Sequence, residues 1–304
     1  MQRGVAARFD GLPFIGESLQ YFSAQPLEGI LPFIAKRMAR YGPIFRTSLV
    51  GQPVVMCTDE EVNQYIFQQE GKIFQAWYTE SALRITGEQG LLAHAGNSHK
   101  YLRDLVLNVV GPQRLKRELL HEMDTVTRKH LSLWTASHEV DVKIATETMA
   151  FELAAKKLVG FEEGKASELR ENYKHFKDAL ISFPLYIPGT AFHRALQGRE
   201  RAMRMIRSAI DERRSNSSNG HDFLDELMRE IEDEETIMTQ GIAEDMLFLL
   251  VFAAFETTST AITLALHFLH QHPNVLQQLK VYPSIFIYHC FIILVVVACC
   301  FTCI

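Results

Sequence analysis

The stretch IAEDMLFLLVFAAFETTSTAITLALHFLHQH, Ile242 to His272, decides how this chain is read. It has helical length and is apolar nearly all round, a pattern that calls for burial in a large core or in a membrane. Its middle breaks the pattern with Glu256, Thr257, Thr258, Ser259 and Thr260. Hydroxylated and β-branched residues are poor helix formers, and a local rule broken inside an otherwise consistent element marks a candidate functional site. An isolated carboxylate inside such a helix is costly unless it is paired or protonated. The neighbouring Thr257 hydroxyl can both donate and accept. Ala253 and Ala254, just upstream, let the helix backbone approach a flat ligand. Together these residues can form a proton relay beside a bound ligand, Glu256 feeding Thr257. Two plainer readings stand beside it. Glu256 can be a core or membrane glutamate satisfied by a neighbouring helix, and the hydroxyls can bond back to carbonyls one turn earlier.

Outward from this helix, the composition is that of an ordinary globular protein. The chain has 304 residues, 47% hydrophobic and 22% charged, with a formal net charge of -5. This is enough to build a large core, and no basic excess points to a nucleic-acid partner. The Lys and Arg cluster between Arg194 and Arg214 lies on a predicted helix and reads as a solvated face. One cysteine, Cys57, occurs before Cys290, so the body reads as a reduced, intracellular protein without a disulfide framework. Residues 1–10 are polar, with no apolar run that would anchor the chain. Residues 281–304 carry no Asp, Glu, Lys or Arg, and a span of about 20 apolar residues can cross a bilayer.

The remaining elements follow from spacing. Leu31, Ile34, Ala35 and Met38 predict one helix face. Ile44 to Leu49 and Pro53 to Cys57 predict a hairpin joined through Gly51-Gln52. Asp59 and Glu60 open a helix at its positive end. From Ser98 the chain reads as almost entirely helical, with faces at Leu102, Leu105, Val106 and Val109, then at Leu115, Leu119, Met123 and Val126, and again from Ile144 to Leu158. Pro184 and Pro188-Gly189 predict a loop. Ser215 to Gly220 predicts a linker, and Asp222 a helix cap. Glu230 to Glu235 reads as exposed.

With these elements in order, the chain resembles the cytochrome P-450 haem monooxygenases. Their oxygen-activating helix has a small residue, Gly, any residue, Asp or Glu, Thr, then Thr or Ser. Ala253 to Thr258 matches it, with Ala254 where Gly is usual. Gly96-x-x-His99-Lys100-x-x-Arg103 is similar to the family helix that binds haem (heme) propionates; unaided, a His and an Arg four apart are ordinary surface residues. Gly11 to Gly16, Tyr41-Gly42-Pro43-Ile44-Phe45 and His270 to Leu279 agree in order, and Ile187-Pro188-Gly189-Thr190 with Arg199 resembles the plant steroid and triterpenoid oxidases. The resemblance spans about Gly11 to Lys280. It implies a mainly α fold with a small N-terminal β hairpin, an incomplete cytochrome P-450 fold with one domain over 11–280. It further implies haem as cofactor, with His99 and Arg103 on its propionates, Ala253 and Ala254 against it, and Glu256 and Thr257 as catalytic residues that deliver protons for O–O cleavage. The implied reaction is monooxygenation of an apolar steroid or triterpenoid-like substrate with O2. An NADPH-cytochrome reductase would supply the electrons at the cytosolic face of the endoplasmic reticulum membrane.

A haem-thiolate enzyme also needs a cysteine thiolate on the iron. In the family it sits in a Phe- and Gly-rich loop downstream of a Glu-x-x-Arg helix. No Arg follows Arg229 and no Gly follows Gly241, so neither motif is present, and no residue here is assigned as a metal ligand. Glu226 to Arg229 fits Glu-x-x-Arg by letter but precedes the oxygen helix, and reads as an exposed pair one turn apart. We therefore expect a truncated, inactive product whose residues 281–304 are a membrane segment or aberrant read-through. The alternative is a non-catalytic, tail-anchored membrane protein with a helical cytosolic body.

Overall fold

A computed structural model describes residues 16–23, 30–110, 120–180, 182–215 and 222–281. The tail beyond Val281, the N-terminal turn before Gly16, Leu115, Leu119 and most of the Ser215–Gly220 linker lie outside them. In chain order the elements are α1 (Ser18–Tyr21), α2 (Pro32–Tyr41), β1 (Ile44–Leu49), β2 (Gln52–Cys57), α3 (Glu60–Gln68), α4 (Glu80–Thr86), α5 (Gly96–Val110), α6 (Leu120–Ala136), α7 (Val142–Val159), α8 (Glu163–Tyr173), α9 (Phe176–Leu180), α10 (Ala191–Ser215), α11 (Phe223–Glu232), α12 (Gln240–Gln271) and α13 (Pro273–Val281). A short 3-10 turn at Leu91–Ala93 precedes α5. The fold is mainly α with one small antiparallel hairpin, as the sequence predicts. The described residues divide into two compact units, one drawn from the spans 16–77 and 177–194, the other from the spans 78–176 and 195–281.

The first unit holds the hairpin. Leu49 pairs with Gln52, so the turn is Val50-Gly51, one residue earlier than expected from the sequence. Both turn residues have positive φ, 52° and 75°, as a two-residue turn matching the strand twist requires. Glycine takes that conformation freely and valine does not, which is why the sequence points to the wrong pair. The face of α2 also differs from the predicted one. Phe33 and Arg37 are buried, rather than the Leu31–Met38 stripe. Arg37 lies 3.4 Å over the Phe33 ring and forms an ion pair with Glu17, donating from Nε at 3.1 Å. Glu17 also accepts from the buried Thr47 of β1. A paired, stacked guanidinium can occupy a core position that hydrophobic spacing assigns to an apolar side chain.

In the second unit α12 runs against α7, with α8 beside α7. Side-chain caps set the starts: Asp141 accepts from the Ile144 amide, Thr239 from Ile242, and Asp222 with Asp225 forms a reciprocal capping box. Phe151, Tyr173, Phe176, Phe248, Phe252 and Phe255 pack as one aromatic cluster. Tyr173 stacks on Phe248 at 4.7 Å between centroids, and its hydroxyl donates to the Phe248 carbonyl at 2.8 Å. The first half of α12 is buried, whereas Leu264 and Phe268 further along are 49% and 55% exposed. By length and composition α12 is apolar enough to cross a membrane; here its upstream half forms the core of a helical unit.

The basic cluster of α10 is not simply a solvated face. Arg199 pairs with Asp245, Arg207 Nε with Glu244 at 2.8 Å, and Arg213 Nη2 with Asp222 at 2.7 Å. Asp245 and Glu244 are buried, so Arg199 and Arg207 neutralise acids that α12 carries into the core, while Arg213 pairs with the cap of α11. Glu226 and Arg229 form the predicted exposed pair at 2.6 Å.

Two tyrosines make this unit sensitive to alkali. Tyr101 on α5 is pushed up to about 12 by burial and by its bond to Glu230 of α11, and burial raises Tyr173 well above the usual tyrosine value. In both, folding favours the neutral phenol. The stabilisation is complete below the ordinary phenol range near pH 10 and is lost as pH rises from there through the folded value. In an ultraviolet titration these two should ionise after the exposed tyrosines, together with loss of helical circular dichroism. Tyr101→Phe should remove one late phenol, and an unchanged count of late phenols would refute the assignment.

Candidate functional site

The polar insert of α12 faces two ways. Glu256 points toward α7, with Oε1 3.6 Å from Lys143 Nζ. Lys143 also lies 3.0 Å from Glu147 and donates to Ser259 Oγ at 3.2 Å and Thr260 Oγ1 at 3.0 Å. The Thr146 and Thr263 hydroxyls meet at 2.9 Å along the same seam. Glu256 is thus not an isolated carboxylate: a neighbouring helix satisfies it. At 20% and 34% side-chain exposure, Glu256 and Lys143 sit at the solvent edge of the helix pair. Sequence reasoning missed Lys143, because nothing in the local pattern of α7 says which residue of another helix it will meet.

Thr257 belongs to the other flank. Its hydroxyl donates to the Ala253 carbonyl at 2.8 Å, and Ser259 and Thr263 bond back in the same manner. The back-bonding reading is therefore realised. A hydroxyl has one proton, so Thr257 is set to accept from a ligand, and it must release Ala253 in order to donate. Ala253 and Ala254 are half-buried between the buried Phe252 and Phe255.

His99 and Arg103 lie four apart on α5, hence on one face. Both are half-buried, while Leu102, Leu105 and Val106 are buried. The turn at Leu91–Ala93 packs against both α5 and α12, so the two helices that carry the six predicted residues share one unit and one connecting turn. Among the described residues no cluster of His, Cys, Asp and Glu has the makings of a metal site. Cys57 lies on β2, with its Sγ 3.7 Å from the Asp59 carbonyl.

Comparison with known proteins bears on this arrangement. The family model described as Cytochrome P450 matches residues 7–281. The chain is 42% identical over 273 residues to Cytochrome P450 87A3 of Oryza sativa subsp. japonica, covering 89% of this chain and 53% of that protein. It is 36% identical over 274 residues to the beta-amyrin 16-alpha-hydroxylase of Maesa lanceolata, covering 89% of this chain and 58% of that protein. Among solved structures it is similar to cyanobacterial CYP120A1 with retinoic acid bound, with a TM-score of 0.79, 25% identity, and coverage of 89% of this chain and 60% of that one. The chain spans about half the length of the curated relatives it matches.

Proposed function

Because this chain belongs to the cytochrome P450 family, whose cofactor is haem, we propose that it carries the oxygen-side half of a monooxygenase acting on apolar steroid or triterpenoid-like substrates. The hydroxylases of Maesa lanceolata and of Siraitia grosvenorii, the latter a cucurbitadienol 11-hydroxylase 34% identical over 273 residues, support that substrate class. The observation that carries the reading is the disposition of α12: small Ala253 and Ala254, Thr257 on their flank, and an acid held at the solvent edge by Lys143.

The donor set fits haem on one side. An imidazole and a guanidinium on one helical face can both donate to propionate carboxylates, which gives His99 and Arg103 their role. Ala253 and Ala254 leave room for a flat macrocycle. Bound haem supplies iron at which dioxygen is activated. Around it, this chain's residues handle protons. Glu256 exchanges them with solvent at the α7–α12 edge, and Thr257 accepts a hydrogen bond at its oxygen while its own proton rests on Ala253. A membrane-bound, NADPH-dependent reductase as electron source and the cytosolic face of the endoplasmic reticulum as location belong to the same proposal.

The test is haem titration of the 304-residue polypeptide. His99→Ala and Arg103→Ala should each weaken retention about tenfold, the loss of one charge-assisted bond. Retention unchanged in both variants would remove the propionate assignment.

A further inference from the structure

We propose that Arg199 and Asp245 form a latch that positions the connection between α4 and α5, residues 87–95, and through it the first turn of α5. Asp245 lies on α12 and is 6% exposed. One carboxylate oxygen pairs with Arg199 Nη2, and the other accepts from the Gln89 backbone amide at 2.9 Å. Arg199, on α10, donates from Nε to the Arg84 carbonyl in α4 at 3.2 Å and stands 4.8 Å over the Phe248 ring. One ion pair thus ties α4, α10, α12 and the connection together.

The glycines of the connection are shaped to it. Gly87 has φ +128°, and a Cβ there would stand 2.6 Å from the Asp245 Cβ; at Gly90 the same distance would be 3.1 Å. The backbone of the connection is therefore drawn against the carboxylate more closely than residues with side chains permit. Asp245, Leu249, Ala253 and Thr257 follow at four-residue spacing, so the latch sits about 12 Å upstream of Ala253 along neighbouring flanks of α12.

Stability alone does not account for the pair. Arg199 Nη1 is buried without a hydrogen-bond partner, a cost that apolar residues of similar size would not carry. A charge pair does what an apolar contact cannot: it fixes direction, and here it fixes the Gln89 amide and with it the path into α5. Its functional meaning rests on the reading of α5 and α12 as the haem-side helices.

The test is amide hydrogen exchange in the haem-free chain. The double variant Arg199→Met/Asp245→Leu keeps an apolar fill while removing the acceptor for Gln89. Exchange at Gln89, along 87–95 and in the first turn of α5 should rise about tenfold or more, while α7 amides keep their protection. Gly90→Ala, which crowds Asp245 without changing charge, should give the same local pattern. Unchanged exchange at Gln89 in either variant, or an equal rise throughout α7, would overturn the latch. Since no haem is involved, failure of the relay reading leaves this result intact, and the converse holds.

Discussion

Glu256→Gln should lower product formation by about a hundredfold, the lower end of what a positioned proton donor contributes, in a haem-loaded enzyme carrying this helix. Gln matches Glu in shape but does not titrate, so it cannot act as a proton donor or acceptor. Reductant consumption should continue, so that product per reducing equivalent falls. The fold should be nearly indifferent: Lys143 retains Glu147, Ser259 and Thr260, and a pair this exposed contributes about 0–1 kcal/mol. Thr257→Val should act similarly, since the Ala253 carbonyl loses only the 2.8 Å side-chain bond and remains within the helical ladder. The two measurements are product per reductant consumed and the urea midpoint. If product formation stays within about threefold of the parent, a span far below general acid–base effects, the relay is wrong. If activity and midpoint fall together, Glu256 is a structural residue.

The largest loss of stability should come from Phe248→Ala, about 3–5 kcal/mol. Phe248 is fully buried. It stacks on Tyr173 and meets Phe176 edge-on at 5.2 Å, and it carries the Arg199 guanidinium on its other side. Truncation opens a cavity among side chains that helices on three sides hold in place, so collapse is incomplete. Phe268→Ala on the same helix is the control. It is 55% exposed, and surface changes of this kind stay within about 0.5 kcal/mol. Urea unfolding distinguishes them, and equal losses would show that the helix is not buried asymmetrically along its length.

That asymmetry was not legible in the sequence. The stretch Ile242–His272 is apolar throughout, and apolarity says that a face wants cover without saying which half receives it. The hairpin was legible as a hairpin, yet its turn was misplaced, because a strained Val50 is recognised only from the register of the strands. On α2, hydrophobic spacing favoured Ile34 and Met38, while the structure buries Arg37 because Glu17 and Phe33 receive it.

By itself the sequence determined the elements, the helix starts at Asp59 and Asp222, and the order of motifs from Gly96 to Thr258. These depend on interactions a few residues long, which spacing and residue type record. Only the tertiary structure decided the partners: Lys143 for Glu256, Asp245 for Arg199, and Ala253 for the Thr257 proton. The first two bridge separate helices, where geometry after packing, rather than local propensity, selects which charge meets which. The third is a local choice between a ligand and a carbonyl one turn back, and packing leaves the carbonyl in reach.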